Sequence, residues 1–134
     1  MQLHESAEDY LEAILMLHEE KGYARSVDIS LKLGVTKPSV SFAMKRLREN
    51  GYITMSDDSL ISLTPAGSEV AQRIYTRHKL LTAFIEELGV PADIAREDAC
   101  KIEHDLHEVT VQAIQEQMRR RAEAAEGGAP GAER

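Results

Sequence analysis

The sequence lacks the features that mark several classes of protein. It has no tryptophan and a single cysteine, Cys100, so an internal disulfide is excluded and the thiol is either a small buried side chain or a ligand. No apolar run approaches 18 residues, and the first ten residues (MQLHESAEDY) do not form a basic-then-apolar signal segment. We therefore expect a cytoplasmic protein with no membrane partner.

Charge is distributed unevenly along the 134 residues, which carry a formal net charge of −7. Residues 21–50 contain seven basic and two acidic side chains, whereas residues 84–116 contain two basic and nine acidic ones. A basic segment suits phosphate groups, and an acidic segment suits cations. Solvated charges without any partner are the alternative explanation.

The hydrophobic pattern predicts a mainly α fold. Helical spacing, capping residues and Gly/Pro breaks predict six helices, at about residues 6–20, 28–33, 36–50, 65–88, 92–106 and 108–122. Ser6 and Thr36 are the predicted N-caps of the first and third helices.

Alternating side chains after Gly51 predict a short β-hairpin with a turn at Asp57-Asp58-Ser59. Three helices followed by a hairpin wing is the order of a winged helix-turn-helix. We expect this winged helix-turn-helix over residues 1–66, a helical domain over residues 67–122 and a flexible tail over residues 123–134.

The third helix has the pattern of a DNA-recognition helix. Lys37, Ser41, Lys45 and Arg48 follow one stripe away from its apolar face, so hydroxyls and long cations would meet base edges and phosphates. An ordinary amphipathic helix with a solvated polar face is the alternative. The predicted DNA-binding residues are Arg25, Thr36, Lys37, Pro38, Ser39, Ser41, Lys45 and Arg48.

The fifth helix carries potential metal ligands of three chemical types. Cys100, Glu103 and His104 stand at i, i+3 and i+4, which would bring a thiolate, a carboxylate and an imidazole to one helix flank. Each residue has a plainer explanation, such as a buried thiol or a surface charge.

The first and fourth helices also carry side chains that are potential metal ligands. Asp9 and Glu12 form a carboxylate pair on the first helix, and His78 falls on the core side of the fourth. Asp9 near a helix start can simply favour the dipole, and a core-facing histidine is usually a hydrogen-bonded interior residue.

Taken together, five segments resemble the diphtheria-toxin-repressor family. They are SAEDYLEAILML, TKPSVSFAMKRLRENGYI, LTPAG, YTRHKLL and DACKIEH. The resemblance covers roughly residues 5–120, and the chain length without a C-terminal barrel domain is similar to that of the manganese-transport-regulator branch.

The resemblance implies a metal-dependent transcriptional repressor that controls metal uptake or homeostasis genes. It implies a homodimer on double-stranded operator DNA, with the helical domain as the metal-binding and dimerisation domain. Mn(II) or Fe(II), as one or two ions per subunit, would activate it, with Zn(II), Co(II) or Cd(II) as surrogates. The implied metal ligands are Asp9, Glu12, His78, Cys100, Glu103 and His104.

The chain departs from both branches of that family. The manganese type has a carboxylate where Cys100 stands, and the iron type has Met where Asp9 stands. The ancillary site of the iron type needs a Glu and a His at the positions of Thr82 and Arg96. Hard carboxylates favour Mn(II), whereas a thiolate favours Fe(II) or Zn(II). His107 is either a substitute ligand or a capping or surface residue.

Two other functions fit parts of the sequence. A winged-helix regulator could sense a small organic ligand, although the clustered ligand residues argue against it. A metalloenzyme could use the histidine pair in HDLH, residues 104–107, but no nucleophile, general-base motif or Gly-rich loop accompanies it. We therefore expect neither catalysis nor an organic substrate.

Overall fold

The computed structural model describes residues 4–128. In this range the chain forms six helices and one two-stranded antiparallel sheet, which confirms the mainly α prediction. The order is α1 (Glu5–Lys21), α2 (Ser26–Leu33), α3 (Lys37–Glu49), β1 (Ile53–Met55), β2 (Ile61–Leu63), α4 (Pro65–Glu87), α5 (Ala92–Ile102) and α6 (Glu108–Gly128).

The chain divides into two compact units, Met1–Tyr75 (unit 1) and Thr76–Arg134 (unit 2), and the division falls within α4. Within residues 4–128, no helix combines the length and the apolar character that a bilayer crossing requires.

Unit 1 has a single apolar core, formed where α1, α2, α3 and the hairpin meet. Its most deeply buried members are Leu11, Ile14, Ile29, Val40, Met44, Ile53 and Ile61. On α3 the core-facing residues recur at helical spacing, so burial of one stripe leaves the other faces of the helix in solvent. Thr36 caps α3 as predicted, because its hydroxyl oxygen accepts a hydrogen bond from the backbone N–H of Ser39 at 3.3 Å.

The wing is a short hairpin with an acidic turn. Its register pairs Ile53 with Leu63 and Met55 with Ile61. The turn closes where the Ser59 N–H donates to the Ser56 carbonyl at 2.9 Å. Asp57 and Asp58 lie in this turn, and residues 52–64 contain no lysine or arginine.

The start of α4 packs closely against the segment that joins α3 to β1. Gly67 lies so near the backbone of Tyr52 that an added Cβ would be 2.0 Å from the Tyr52 carbonyl oxygen. That carbonyl also accepts a hydrogen bond from the Thr64 N–H at 3.1 Å. Only glycine permits this approach.

Two predicted helix starts were wrong. α1 begins at Glu5, with His4 as its N-cap, so Ser6 lies inside the helix. The Glu8 N–H donates to the His4 carbonyl at 3.1 Å and adds this extra residue to the helix. α2 begins at Ser26 because the Asp28 carboxylate accepts a hydrogen bond from the Arg25 N–H at 3.1 Å.

Unit 2 consists of the second half of α4 with α5 and α6. Leu81, Ala95, Ala99 and Val111 are its buried apolar side chains. An ion pair of 2.9 Å between Arg121 Nε and Glu87 Oε1 links α6 to the end of α4.

α6 continues through Gly128, so the prediction of a flexible tail from residue 123 was wrong for residues 123–128. Glu116 pairs with Arg119 and Arg120, and Arg119 also pairs with Glu123, which extends helical side-chain pairing past the predicted end. These guanidinium groups lower the pKa of Glu116 to about 2. The rest of the predicted tail, residues 129–134, lies outside the described residues.

Candidate metal site and nucleic-acid interface

A buried carboxylate, Glu103, lies between two histidines in unit 2. Its Oε1 accepts a hydrogen bond from Nδ1 of His78 at 2.9 Å, and its Oε2 is 3.5 Å from Nε2 of His104. The side chain of Glu103 is 0% exposed, that of His104 is 2% exposed and that of His78 is 17% exposed. The structure therefore brings together three of the predicted ligands.

Cys100 belongs to the same neighbourhood. Its Sγ and a carboxylate oxygen of Glu103 lie within 4.8 Å of each other, although Cys100 as a residue is exposed. The four side chains supply sulfur, nitrogen and oxygen donors at one end of α5.

The cluster fits a divalent cation, because one buried oxygen of Glu103 has no hydrogen bond and could therefore bind the ion. Among the described residues, none donates a hydrogen bond to Oε2 of Glu103, which is fully buried. A buried carboxylate without a full set of partners is costly, and a bound cation offsets that cost. Carboxylate and imidazole are also ligands that Mn(II), Fe(II) and Zn(II) accept.

The predicted helical placement of Glu103 and His104 was wrong. α5 ends at Ile102, with Glu103 as its C-cap, and His104 lies in the turn that follows. The helical pattern of residues 92–106 contains no breaker, so the early end comes from contacts outside the helix. Ile102, the last residue of α5, is exposed although it is apolar.

Arg77 on α4 holds this turn in place. Its Nη1 donates to the carbonyl oxygens of Glu103, at 3.1 Å, and of Leu106, at 3.0 Å. Its Nη2 donates to Oε1 of Glu108 at 2.8 Å. These contacts take up the carbonyl groups that the end of a helix leaves without partners. Arg77 was not among the residues predicted from the sequence, although its position next to His78 was a signal.

Asp9 and Glu12 lie on α1 in unit 1. Glu12 is 6% exposed and Asp9 is half-buried, and their i, i+3 spacing puts them on one face of the helix. On the same helix, Glu8 pairs with Arg73 of α4 at 3.1 Å. Burial of Glu12 is unusual for a glutamate and sets it apart from the exposed Glu19 and Glu20 on α1.

His107, Arg96 and Thr82, which the sequence analysis also singled out, have different surroundings. His107 is exposed and precedes α6, where its carbonyl accepts the N–H of Val111 at 3.1 Å. Arg96 is exposed on α5. The hydroxyl of Thr82 is buried, and no described residue forms a hydrogen bond with it.

The predicted DNA-contacting stripe of α3 is exposed, as contact with DNA requires. Lys37, Ser41, Lys45 and Arg48 are all exposed, and so are Thr36, Pro38 and Ser39 at the start of the helix. The Thr36 hydroxyl also donates to Oγ of Ser39 at 2.9 Å. Phe42, an exposed aromatic side chain on the same helix, was not among the predicted DNA-binding residues.

Arg25 is the one predicted DNA-binding residue outside α3 and its cap. Its Nη1 donates to the carbonyl oxygen of Asp58 at 2.9 Å, which ties the loop before α2 to the wing turn. Its guanidinium also lies 6.0 Å from the ring centroid of Tyr23.

Comparison with protein families gives two matches that together cover most of the chain. Residues 2–59 match the family described as "Iron dependent repressor, N-terminal DNA binding domain". Residues 64–129 match the one described as "Iron dependent repressor, metal binding and dimerisation domain".

Individual proteins are similar over the same region. Transcriptional regulator MntR of Salmonella typhimurium is 40% identical over 110 residues, which are 82% of this chain and 70% of that protein. The crystal structure of T. acidophilum IdeR is similar with a TM-score of 0.75 and 30% identity, over 88% of this chain and 55% of that one.

The structure of the manganese regulator SloR is similar with a TM-score of 0.74 and 28% identity, over 89% of this chain and 55% of that one. This chain spans about half the length of these two solved structures.

Proposed function

Because this chain belongs to the iron-dependent repressor family of metal-dependent, DNA-binding transcriptional repressors, we propose that it binds operator DNA as a homodimer when loaded with Mn(II) or Fe(II). The membership confirms the family resemblance found in the sequence. We propose that the regulated genes serve metal uptake or homeostasis and that the protein works in the cytoplasm by binding alone, without catalysis.

The observation that carries this proposal is the burial of Glu103 between His78 and His104 with one oxygen lacking a hydrogen bond. Proteins seldom bury a carboxylate completely unless it is paired or coordinates a metal. Here the neighbours are imidazoles, which are metal ligands themselves. A bound divalent ion would supply the positive charge that this donor set requires.

We propose a full ligand set that also includes residues of α1. These ligands are Asp9, Glu12, His78, Cys100, Glu103 and His104. Two imidazoles, three carboxylates and a thiolate are enough donors for one or two ions per subunit. His107, being exposed at the start of α6, is proposed as a surface residue.

The choice between Mn(II) and Fe(II) depends on Cys100 and Asp9. Carboxylate oxygens are hard ligands that suit Mn(II), whereas a thiolate strengthens binding of Fe(II), Co(II), Zn(II) and Cd(II). The similarity to the manganese regulator SloR favours Mn(II). We propose Mn(II) or Fe(II) as the physiological activator and the other three ions as surrogates.

The mechanism follows from linkage between metal binding and conformation. Without a cation, the carboxylates of Asp9, Glu12 and Glu103 repel one another when they share one site. A cation removes this repulsion and favours the conformation in which all its ligands meet. The population therefore shifts toward the DNA-binding state, by no more than the ratio of the metal affinities of the two states.

DNA binding is assigned to α3 and its flanks. Ser39 and Ser41 would contact base edges or phosphates at short range, and the helix dipole would add partial positive charge near the phosphates at the Thr36 end of α3. Lys37, Lys45 and Arg48 would neutralise phosphates, and Arg25 would do so beside the wing. Because one such helix reads few base pairs, two copies on a palindromic operator are proposed.

The alternative of a regulator that senses an organic ligand is not favoured, because the family matches describe a metal-binding domain. In unit 2, the buried polar groups that lie together, His78, Glu103 and His104, are ligand types for a metal ion.

The proposal can be tested with the full chain and a duplex that it selects from a random-sequence pool in the presence of Mn(II). Fluorescence anisotropy is measured anaerobically with Mn(II), Fe(II), Zn(II) and a chelator. We expect binding with Mn(II) or Fe(II) and none with the chelator. Equal binding with and without the chelator would contradict the proposal.

His104→Ala and His107→Ala form a matched pair for the same assay. The buried His104 is proposed as a ligand, whereas the exposed His107 is not. His104→Ala should stay folded, as judged by circular dichroism, and lose its response to metal, while His107→Ala behaves like the unmodified chain. The reverse result would overturn the ligand assignment.

A further inference from the structure

Phe42 is an aromatic side chain on the solvent side of α3. Its residue exposure is 63%, although phenylalanine is usually buried in protein cores. On the helical wheel it lies nearly opposite the buried stripe of Val40, Met44 and Leu47, and it stays largely exposed although it borders a concave site that includes Ala7 and Tyr10 of α1.

The surroundings of Phe42 are basic. The guanidinium of Arg46 lies 5.7 Å from the centroid of the Phe42 ring, within the range of a cation–π contact. Lys45 is also exposed, and its i+3 spacing puts it beside Phe42 on the helical wheel, on the side away from Arg46. An apolar ring between two cations suits a partner that combines negative charge with exposed apolar groups.

The major groove of DNA offers this combination. Phosphates line its edges, and each thymine presents a 5-methyl group on its floor, where phenylalanine makes apolar contacts. Ser41 and Lys45, on either side of Phe42 in the chain, belong to the surface assigned above to DNA.

We propose that Phe42 reads the 5-methyl group of one thymine in each half of the operator, with Arg46 holding the ring in position and contacting the adjacent phosphate. This proposal rests on the assignment of α3 as the recognition helix and names one of the bases that it recognises. Contact with the ring removes one methyl group from water, which corresponds to about a fourfold gain in affinity per thymine.

The experiment uses the full chain with Mn(II) and the duplex selected from a random-sequence pool. Each thymine is replaced by deoxyuridine, which lacks only the methyl group, at symmetric positions in both halves. We expect one symmetric pair of positions at which the replacement weakens binding about 15-fold, from two contacts of about fourfold each.

Variants of the protein then test whether Phe42 is the residue that contacts the thymines at these two positions. Phe42→Ala should bind the thymine duplex more weakly and lose the discrimination between thymine and deoxyuridine, whereas Phe42→Leu should retain part of it. Leu31→Ala is the matched control, because Leu31 is 78% exposed on α2 and is not placed on the DNA surface. It should discriminate like the unmodified chain.

Different failures have different meanings. If the unmodified chain binds the selected duplex with Mn(II) but ignores every methyl group, or if Phe42→Ala keeps the discrimination, the proposal for Phe42 is overturned and the repressor function stands. If the unmodified chain binds no duplex with any of the metals, both are overturned. Phe42 is exposed, so its replacement leaves the core intact, and circular dichroism confirms folding.

Discussion

The guanidinium of Arg77 donates a hydrogen bond of 3.1 Å to the backbone carbonyl of Glu103, the residue whose side chain lies between the two histidines. The same nitrogen holds the Leu106 carbonyl at 3.0 Å. Arg77 is thus a positioning residue, since its hydrogen bonds hold the backbone on which two proposed ligands, Glu103 and His104, are mounted.

Arg77→Ala should weaken metal binding without removing a ligand. Loss of outer-shell partners in metal sites typically costs about 10- to 100-fold in affinity, and we expect a loss in this range. An anaerobic calorimetric titration with Mn(II) measures the affinity of the variant for the metal. Arg96→Ala, an exposed arginine on α5, is the control. An unchanged affinity in Arg77→Ala would show that the turn keeps its structure unaided.

Glu103→Gln should leave the thermal stability of the metal-free protein unchanged or raise it, and it should remove the stabilisation that metal binding gives. The neutral amide avoids the cost of a buried charge, so thermal unfolding of the metal-free variant should occur at the same or a higher temperature. Mn(II) at 100 times its Kd stabilises a native protein by about 2.7 kcal/mol, and this gain should disappear in the variant. Calorimetric scans with and without Mn(II) measure the unfolding temperature. If Mn(II) still raises the unfolding temperature of the variant, Glu103 is not a ligand.

The sequence predicted the order of the elements in unit 1 and the ends of α1 and α2, because local signals mark them, whereas the predicted starts of both helices were wrong. Thr36 caps α3, Gly22 and Gly34 adopt left-handed conformations at the ends of α1 and α2, and alternation of apolar side chains marks the hairpin. These signals act over a few residues, so they can be read without a structure.

The sequence could not predict the end of α5. Arg77 lies 26 residues from Glu103 along the chain, and its hydrogen bonds stabilise a turn where local spacing favours a helix. Nor could composition show that Glu103 is fully buried among many exposed carboxylates. Phe42 was open to detection from the sequence, because its position on the helical wheel conflicts with its apolar character.

Replacement of Cys100 should change metal preference more than metal affinity in general. Cys100→Asp substitutes a hard oxygen donor for sulfur, and we expect the ratio of Zn(II) to Mn(II) affinity to fall by at least about tenfold. Competition titrations with a chromophoric chelator measure both constants. With Co(II), the unmodified chain should show a thiolate-to-metal absorption band that Cys100→Ser lacks; a band that persists in the serine variant rules out sulfur ligation.

Gly67→Ala should destabilise unit 1. The new Cβ would lie 2.0 Å from the Tyr52 carbonyl oxygen, so the backbone must move. Such overpacking typically costs about 1–3 kcal/mol in the free energy of unfolding, which urea denaturation measures. Gly127→Ala is the control, because its Cβ meets nothing within 4 Å and should be neutral or slightly stabilising. Equal stability of the two variants would contradict this packing.

Lys45→Ala should weaken DNA binding to all sequences alike and reduce its salt dependence. The substitution removes one lysine–phosphate ion pair from each subunit, so for the dimer the slope of log affinity against log salt concentration should become shallower by about 1.8, from two contributions of about 0.9 each. Anisotropy titrations at several salt concentrations give this slope. Lys101→Ala, on α5, should leave it unchanged. A Lys45→Ala variant with an unaltered slope would place Lys45 away from the phosphates.

The acidic turn of the hairpin limits what one copy of the protein can do at a promoter. Asp57 and Asp58 carry two negative charges against the single positive charge of Arg25 beside them, so in the proposed complex phosphate binding depends mainly on the cations of α3. A lone subunit would therefore dissociate quickly, and silencing would require two subunits to arrive as a pair. Gene output would then respond steeply to the amount of repressor in the cell, with a modest drop in its abundance releasing transcription.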